Sequence, residues 1–182
     1  MREVPFVVLT SEMIDDATRL VPAAKVHRTT ASKIDTLTGY LGELAFAQYF
    51  FGDWQRHRVG QNKGEADFPD IEVKTSAFPF RETLNLLVRE DYAKKRKPPF
   101  YVQVIVAVDS PKADRIKPGT LAHICGYASA DAVDRSPLKD FGSKFGGRGG
   151  YRCHYIMIRD LHPIEEFNEA YRRHRVSQGR TE

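Results

Sequence analysis

The sequence "DFPDIEVKTS" at residues 67–76 has a turn signal between two short runs in which apolar and polar residues alternate. Proline favours the first central position of a β-turn, so the Pro-Asp pair at 69–70 is predicted to form a two-residue turn. In the resulting hairpin Asp67 lies opposite Glu72. Because side chains alternate between the two faces of a strand, Glu65, Asp67, Glu72 and Lys74 share one face, opposite the apolar residues.

This charged face has two interpretations. Two carboxylates directly opposite each other lie about 5 Å apart at Cβ and repel. A divalent cation would remove the repulsion, and Mg²⁺ suits carboxylate ligands together with water and phosphate oxygens. Lys74 would then orient a water molecule or stabilise phosphate charge. Alternatively, the face is simply solvated and Lys74 neutralises Glu65 or Glu72, so the hairpin alone leaves both interpretations open.

A second acidic residue of interest is Glu43, in "TGYLGELAFAQYFFG" at residues 38–52. A helix is predicted over about 34–51, ended by Gly52. It is apolar almost all round from Tyr40 to Phe51, which indicates that it is buried. Glu43 is the only charged residue in that stretch, and a buried carboxylate is costly unless it is paired or lies near a metal. A structural ion pair with Arg or Lys is the alternative explanation.

The order of these features resembles the PD-(D/E)xK nuclease superfamily, which includes restriction endonucleases and Holliday junction resolvases. The matched stretch runs from about Thr38 to Ser76 and contains "GELAF", an acidic residue before a tight turn, and "IEVK". The resemblance implies a restriction-endonuclease-like α/β core with a central mixed β-sheet flanked by helices. The segment "YVQVIVAV" at 101–108 is expected to be the following core strand, and Gln103 either faces the site, faces an edge or is a satisfied core glutamine.

The resemblance also implies which residues form the site. Asp67 and Glu72 are expected to be metal ligands together with the backbone carbonyl of Val73. Lys74 is expected to be the catalytic lysine, and Glu43 to support the metal from the helix. The implied activity is Mg²⁺-dependent hydrolysis of phosphodiester bonds in DNA, with Mn²⁺ as a substitute metal.

One departure from the family pattern concerns the literal "PD" at 69–70. It stands only one residue before Glu72, whereas the family usually leaves a longer gap. The opposing geometry of the hairpin therefore favours Asp67 as the ligand and Asp70 as the turn residue. A Holliday-junction-resolving or repair nuclease, and an inactive nucleic-acid-binding protein of the same fold, are the alternative functions.

Composition limits the other possibilities. The chain has 182 residues with a net charge of +4, which fits one domain over 1–182 and permits a polyanionic partner. Its two cysteines do not form a disulfide framework, which favours a reducing, cytoplasmic location. No apolar stretch is long enough to span a bilayer and no signal peptide is expected, so a membrane partner is not expected.

Several basic segments are candidates for contacting double-stranded or branched DNA. A basic glycine-rich loop is predicted at about 139–152, with Lys144 and Arg148 as phosphate contacts. A basic run contributes Lys95 and Arg96, and further basic segments lie at 25–28 and 56–58. Each of them is also explained as an ordinary solvated surface. The C-terminal half would supply target recognition or the interface of a homodimer.

The remaining elements follow from local patterns. Ser11 is predicted to cap a helix to about Leu20, and Ser129 to cap a short helix. A final helix is predicted at about 163–175. Strands are predicted at 54–59, 64–68, 71–77, 100–109, 120–129 and 153–160, with the last one closing the sheet, and 81–97 is predicted as helix or mixed structure. The spacings of His123, Cys125, Cys153 and His154 are not those of a zinc site, so core cysteines and histidines with satisfied hydrogen bonds are expected instead.

Overall fold

A computed structural model of the chain describes residues 3–21, 33–61, 65–91, 97–141 and 151–180. The strands found there are β1 (Phe6–Val8), β2 (Ile71–Phe78), β3 (Asn85–Arg89), β4 (Phe100–Ala107), β5 (Leu121–Ser129), β6 (Leu138–Asp140) and β7 (Arg152–Met157). The α-helices are α1 (Ser11–Leu20), α2 (Lys33–Phe51), α3 (Ala130–Arg135) and α4 (Phe167–Ser177). None of the helices in these ranges is both long and apolar enough to cross a membrane.

The main sheet has four strands in the order β1-β5-β4-β2. It is mixed, because β2 runs parallel to β4 while β4–β5 and β5–β1 are antiparallel. All residues of β4 except the last are buried, as expected for the nearly continuous apolar run that was predicted to be a core strand. The expected mixed sheet flanked by helices is therefore confirmed, with β2 at an edge.

A second, three-stranded sheet has the order β3-β7-β6. The prediction that the strand at 153–160 closes the main sheet is therefore wrong, because both neighbours of β7 belong to this second sheet. The segment predicted as helix or mixed structure supplies β3, whose Leu86 and Val88 pack with Ile105 of the main sheet. The opposite face of the main sheet packs against the helices, through residues such as Phe46 and Phe167.

The ends of the helices follow local hydrogen bonding. Thr10, rather than the predicted Ser11, caps α1, and its side chain accepts a hydrogen bond from the N–H of Met13 at 3.2 Å. Gly52 ends α2 with a φ of 73°. Ser129 caps α3 as predicted. The final helical segment begins with a 3-10 turn over Ile164–Glu166 and continues as α4.

Two predicted strands are absent from the described residues 54–59 and 65–68, and side-chain hydrogen bonds explain both differences. The first segment forms a 3-10 turn (Trp54–Arg56), in which the Asp53 carboxylate accepts from the N–H of Gln55 at 2.9 Å. The second contributes only an isolated bridge, between Phe68 and Ile71. Aspartate side chains that bond to nearby backbone groups offer the chain an alternative to strand pairing.

Candidate functional site

The turn at 69–70 forms as predicted. The N–H and C=O groups of Phe68 and Ile71 exchange two hydrogen bonds, each of 3.0 Å. Asp70 has a φ of 65°, a left-handed conformation that aspartate tolerates better than most residues. Its carboxylate forms an ion pair with Arg180, at 3.1 Å. Asp70 is thus the turn residue.

Asp67 lies near Glu72, but not in the predicted way. It is not part of a strand, so the directly opposed pair expected from hairpin pairing does not form. Instead, the Asp67 carboxylate accepts a hydrogen bond from the N–H of Val73 at 2.8 Å. Because the N–H and C=O of one strand residue point to the same side, the Val73 carbonyl also points to the open edge of β2. The carboxylate and the carbonyl are therefore presented at the same edge.

Glu72 and Lys74 share a face of β2, as predicted. The Lys74 ammonium donates a hydrogen bond to Glu72 Oε1 at 2.7 Å, and both side chains are partly buried. Their parallel partners on β4 are Tyr101 and Gln103. The pKa of Tyr101 is raised to about 12, chiefly by burial and to a smaller extent by the nearby negative charge of Glu72. Gln103 is buried and donates to the carbonyl of Val104 at 2.9 Å, so it is a core glutamine that lies beside Lys74.

Glu43 projects from α2 toward these residues and is only 9% exposed. Its pKa is raised to about 9, chiefly by burial and then by the negative charges of Asp67 and Glu72. The positive charge of Lys74 acts in the opposite direction. One residue of α2, one residue before the turn and two residues of β2 therefore come together, although they are separated by up to 31 positions in the sequence.

The donor atoms of this cluster fit a divalent metal, although they do not form a finished ligand set. Among the described residues, no group of three or more His, Cys, Asp or Glu side chains is already arranged to hold a metal ion. However, Glu43 Oε2 and Glu72 Oε2 are buried, and neither has a hydrogen-bond partner within the described ranges. Such atoms are costly to bury, and carboxylate oxygens are the ligands that Mg²⁺ and Mn²⁺ prefer.

The two cysteines that were considered for zinc belong to the core, whereas His123 and His154 are only partly buried. Cys125 and Cys153 are buried free thiols. Cys125 Sγ donates to the carbonyl of His123 at 3.3 Å, and the ring of His123 stacks on Phe80 at 4.3 Å. The expectation of core positions for the two cysteines is confirmed.

The predicted phosphate contacts divide into two groups. Lys95, Arg96, Lys144 and Arg148, together with the basic segment at 25–28, lie outside the described residues. The basic segment at 56–58 is described, and its two arginines line a cleft with three arginines that sequence analysis missed, Arg172, Arg175 and Arg180. The pattern "YRRHR" at 171–175 carried the signal, but it was interpreted only as part of a helix.

The fold and the site define a mixed α/β protein with an acidic cluster and a lysine at the edge of its main sheet. No protein-family model, curated protein or solved structure gives a significant match to this chain.

Proposed function

We propose that this chain is a metal-dependent DNA endonuclease whose site comprises Glu43, Asp67, Glu72 and Lys74. The observation that supports it most is the buried carboxylate of Glu43, which faces two further carboxylates and has a raised pKa. Folding has placed like charges together at a cost that a divalent cation would offset. A lysine beside such a cluster is suited to stabilising a phosphate group during hydrolysis.

In the proposed reaction the oxygen of a water molecule forms a bond to phosphorus as one P–O bond of the phosphodiester breaks, with no covalent intermediate. The leaving oxygen takes up a proton, so the products are a phosphate monoester and a free hydroxyl group. A bound Mg²⁺ or Mn²⁺ would activate the water and offset the charge of the phosphate. Asp67, Glu72 and the Val73 carbonyl would hold the ion, and Glu43 would support it from α2. Lys74 would donate hydrogen bonds to a phosphate oxygen or to the attacking water, in a position that Glu72 already fixes at 2.7 Å.

The proposal includes a restriction-endonuclease-like core. In support, a buried helix with a lone glutamate precedes an edge strand that carries "EVK", and the next core strand runs parallel to it. The substrate would be double-stranded or branched DNA. A homodimer would allow two such sites to cut two strands.

A second candidate function is nucleic-acid binding without cleavage. It is favoured by the Lys74–Glu72 ion pair, which neutralises one carboxylate without a metal, and by the lack of a preformed ligand set among the described residues. In this case the acidic cluster would have only a structural role, and a divalent metal would not change the activity or stability of the protein.

Cleavage of supercoiled plasmid separates the two candidates. The full chain is incubated with plasmid in Mg²⁺, in Mn²⁺ and in chelator, beside Lys74→Ala. We expect nicked or linear product only with metal, and a loss of at least 100-fold in rate for Lys74→Ala, the order expected for removing one group that stabilises transition-state charge.

The matched control is Lys112→Ala, because Lys112 is an exposed lysine in the connection between β4 and β5. It should cut at the wild-type rate. Absence of cutting with every metal, on plasmid and on branched DNA, would favour the binding protein. Cutting that survives in Lys74→Ala would exclude the proposed site.

A further inference from the structure

A cleft of about 920 Å³ lies between the C-terminal end of α2, the 3-10 turn at Trp54–Arg56 and the outer surface of α4. Its floor is aromatic and consists of partly buried rings, among them Phe50, Phe51 and Tyr171. The rings of Phe50 and Tyr171 are in edge-to-face contact at 5.6 Å, which joins the two helices beneath the cleft.

The charge of this cleft is strongly positive. Among the residues that the structure describes, the lining includes five arginines and no acidic side chain: Arg56, Arg58, Arg172, Arg175 and Arg180. At the margin of the cleft, Arg58 lies 3.6 Å from Glu65 and Arg180 lies 3.1 Å from Asp70. Clustered guanidinium groups repel one another, so such a cleft is suited to an anion.

Some of the guanidinium groups are held in place by the aromatic floor. The Arg56 guanidinium lies over the ring of Phe51, 4.4 Å from its centroid. Arg175 donates a hydrogen bond to the Tyr171 hydroxyl at 3.2 Å. Orientation before binding reduces the entropy lost when a ligand is bound, and a planar guanidinium matches the oxygens of a phosphate.

The cleft is close to the acidic cluster along both connecting elements. Phe50 in the cleft and Glu43 in the cluster lie seven residues apart on α2, which is two turns, so they lie on the same side of the helix about 10 Å apart along its axis. Pro69 also lines the cleft, two residues after Asp67. A DNA strand rises about 3.4 Å for each nucleotide, so about three nucleotides span this distance.

We propose that this cleft binds the phosphodiester backbone of the DNA strand that enters the site, about three nucleotides from the phosphate at Lys74. The arginines contact phosphate oxygens and the aromatic floor contacts the sugar or an unstacked base. That the bound strand is the one cut at Lys74 rests on the proposed function, whereas the binding of DNA by the cleft does not.

The test measures the binding of a fluorescently labelled DNA duplex to the full chain by anisotropy, in chelator, over a range of salt concentrations. The cleft variant is the double substitution Arg56→Gln/Arg172→Gln, at two exposed positions. Each lost phosphate contact reduces the salt slope by about 0.9, which corresponds to about an eightfold loss of affinity at about 0.1 M salt. We therefore expect the affinity to fall by about 60-fold for the pair.

The matched control is Arg19→Gln/Arg173→Gln, which removes the same net charge. Arg173 directly follows Arg172 on α4, but it forms an ion pair with Glu169 at 2.9 Å. Arg19 forms an ion pair with Asp16 on α1 at 3.1 Å. Neither lines the cleft. The control pair should bind with less than a threefold change. Unchanged thermal unfolding of both pairs would show that they are folded.

Equal losses in the two pairs, or no DNA binding by the wild type at low salt, would overturn the inference. Repeating the plasmid assay with the same proteins separates the two proposals. Binding that depends on the cleft without any cutting would retain the cleft and exclude the nuclease. Cutting by the wild type with no selective effect of the cleft pair would retain the nuclease and exclude the cleft.

Discussion

At the scale of single residues, Glu43 is the residue whose role is most visible in the sequence. A lone carboxylate in an apolar helix has few explanations, and its burial follows directly from that pattern. Its neighbours do not follow from the pattern, because 19 residues separate the end of α2 from the start of β2. Only the folded structure shows that Asp67 and Glu72 are the charges that Glu43 faces.

The raised pKa of Glu43 predicts how stability depends on pH in the absence of divalent metal. Between its ordinary pKa of 4.5 and its folded value of about 9, the folded state retains a proton that the unfolded chain has lost. The free energy of unfolding therefore falls as pH rises through that window. Glu43→Gln removes this penalty, so the variant should exceed the wild type in stability by on the order of 2 kcal/mol near neutral pH.

Urea unfolding of both proteins in chelator, from about pH 4 to about pH 8, measures this difference. The gap should close at the acidic end, where the carboxyl is protonated in both states. Glu169→Gln, at an exposed position, should show no such trend. A Glu43→Gln variant that is less stable than the wild type near pH 8 would contradict this prediction. It would mean that a hydrogen-bond donor or a cation stabilises the charged form of Glu43.

At the scale of elements, the turn at 69–70 was predictable and the strand before it was not. Pro and Asp at the two central positions specify a turn through their own backbone preferences. The strand predicted at 64–68 failed because the Asp67 side chain, rather than a backbone ladder, bonds to the N–H of Val73. Asp67 nevertheless lies near Glu72 and Lys74, because its carboxylate bonds directly to the open edge of β2.

The contact between α2 and β2 is close enough to require glycine. A Cβ atom added at Gly42 would lie 2.7 Å from the Cβ and 2.6 Å from the Cγ2 of Thr75. The Cβ of Thr75 is fixed to the strand backbone, so α2 would have to shift. Gly42→Ala should lower the free energy of unfolding by about 1–3 kcal/mol and weaken any cleavage by moving the adjacent Glu43.

The control lies one turn earlier on the same helix. A Cβ at Gly39 would meet no atom of the residues that the structure describes within 4 Å, so Gly39→Ala should stabilise the protein by up to about 1 kcal/mol through helix propensity. Thermal and urea unfolding of the two variants tests the packing. Similar stabilities for the two would mean that α2 is not packed on Thr75.

At the scale of the whole molecule, the mixed sheet flanked by helices was predictable from hydrophobic patterns, since β4 and α2 are long and strongly apolar. The division into two sheets was not. Apolar alternation shows that β7 has a buried face but does not specify its partners, which lie far apart in the sequence. The arginine cleft was also missed, because it combines segments near residues 56, 69 and 172 that no local pattern connects.

Divalent-metal binding by Glu43, Asp67 and Glu72 is the property on which the proposed function depends, and a calorimetric titration with Mn²⁺ measures it directly. The wild type should bind the ion at this cluster. Glu72→Gln should lose at least tenfold in affinity, because it removes one of the charged ligands, and the exposed Glu169→Gln should match the wild type. Equal binding by all three proteins, or no binding by the wild type, would contradict a metal-dependent site and leave the carboxylates and Lys74 as a structural ion-pair cluster.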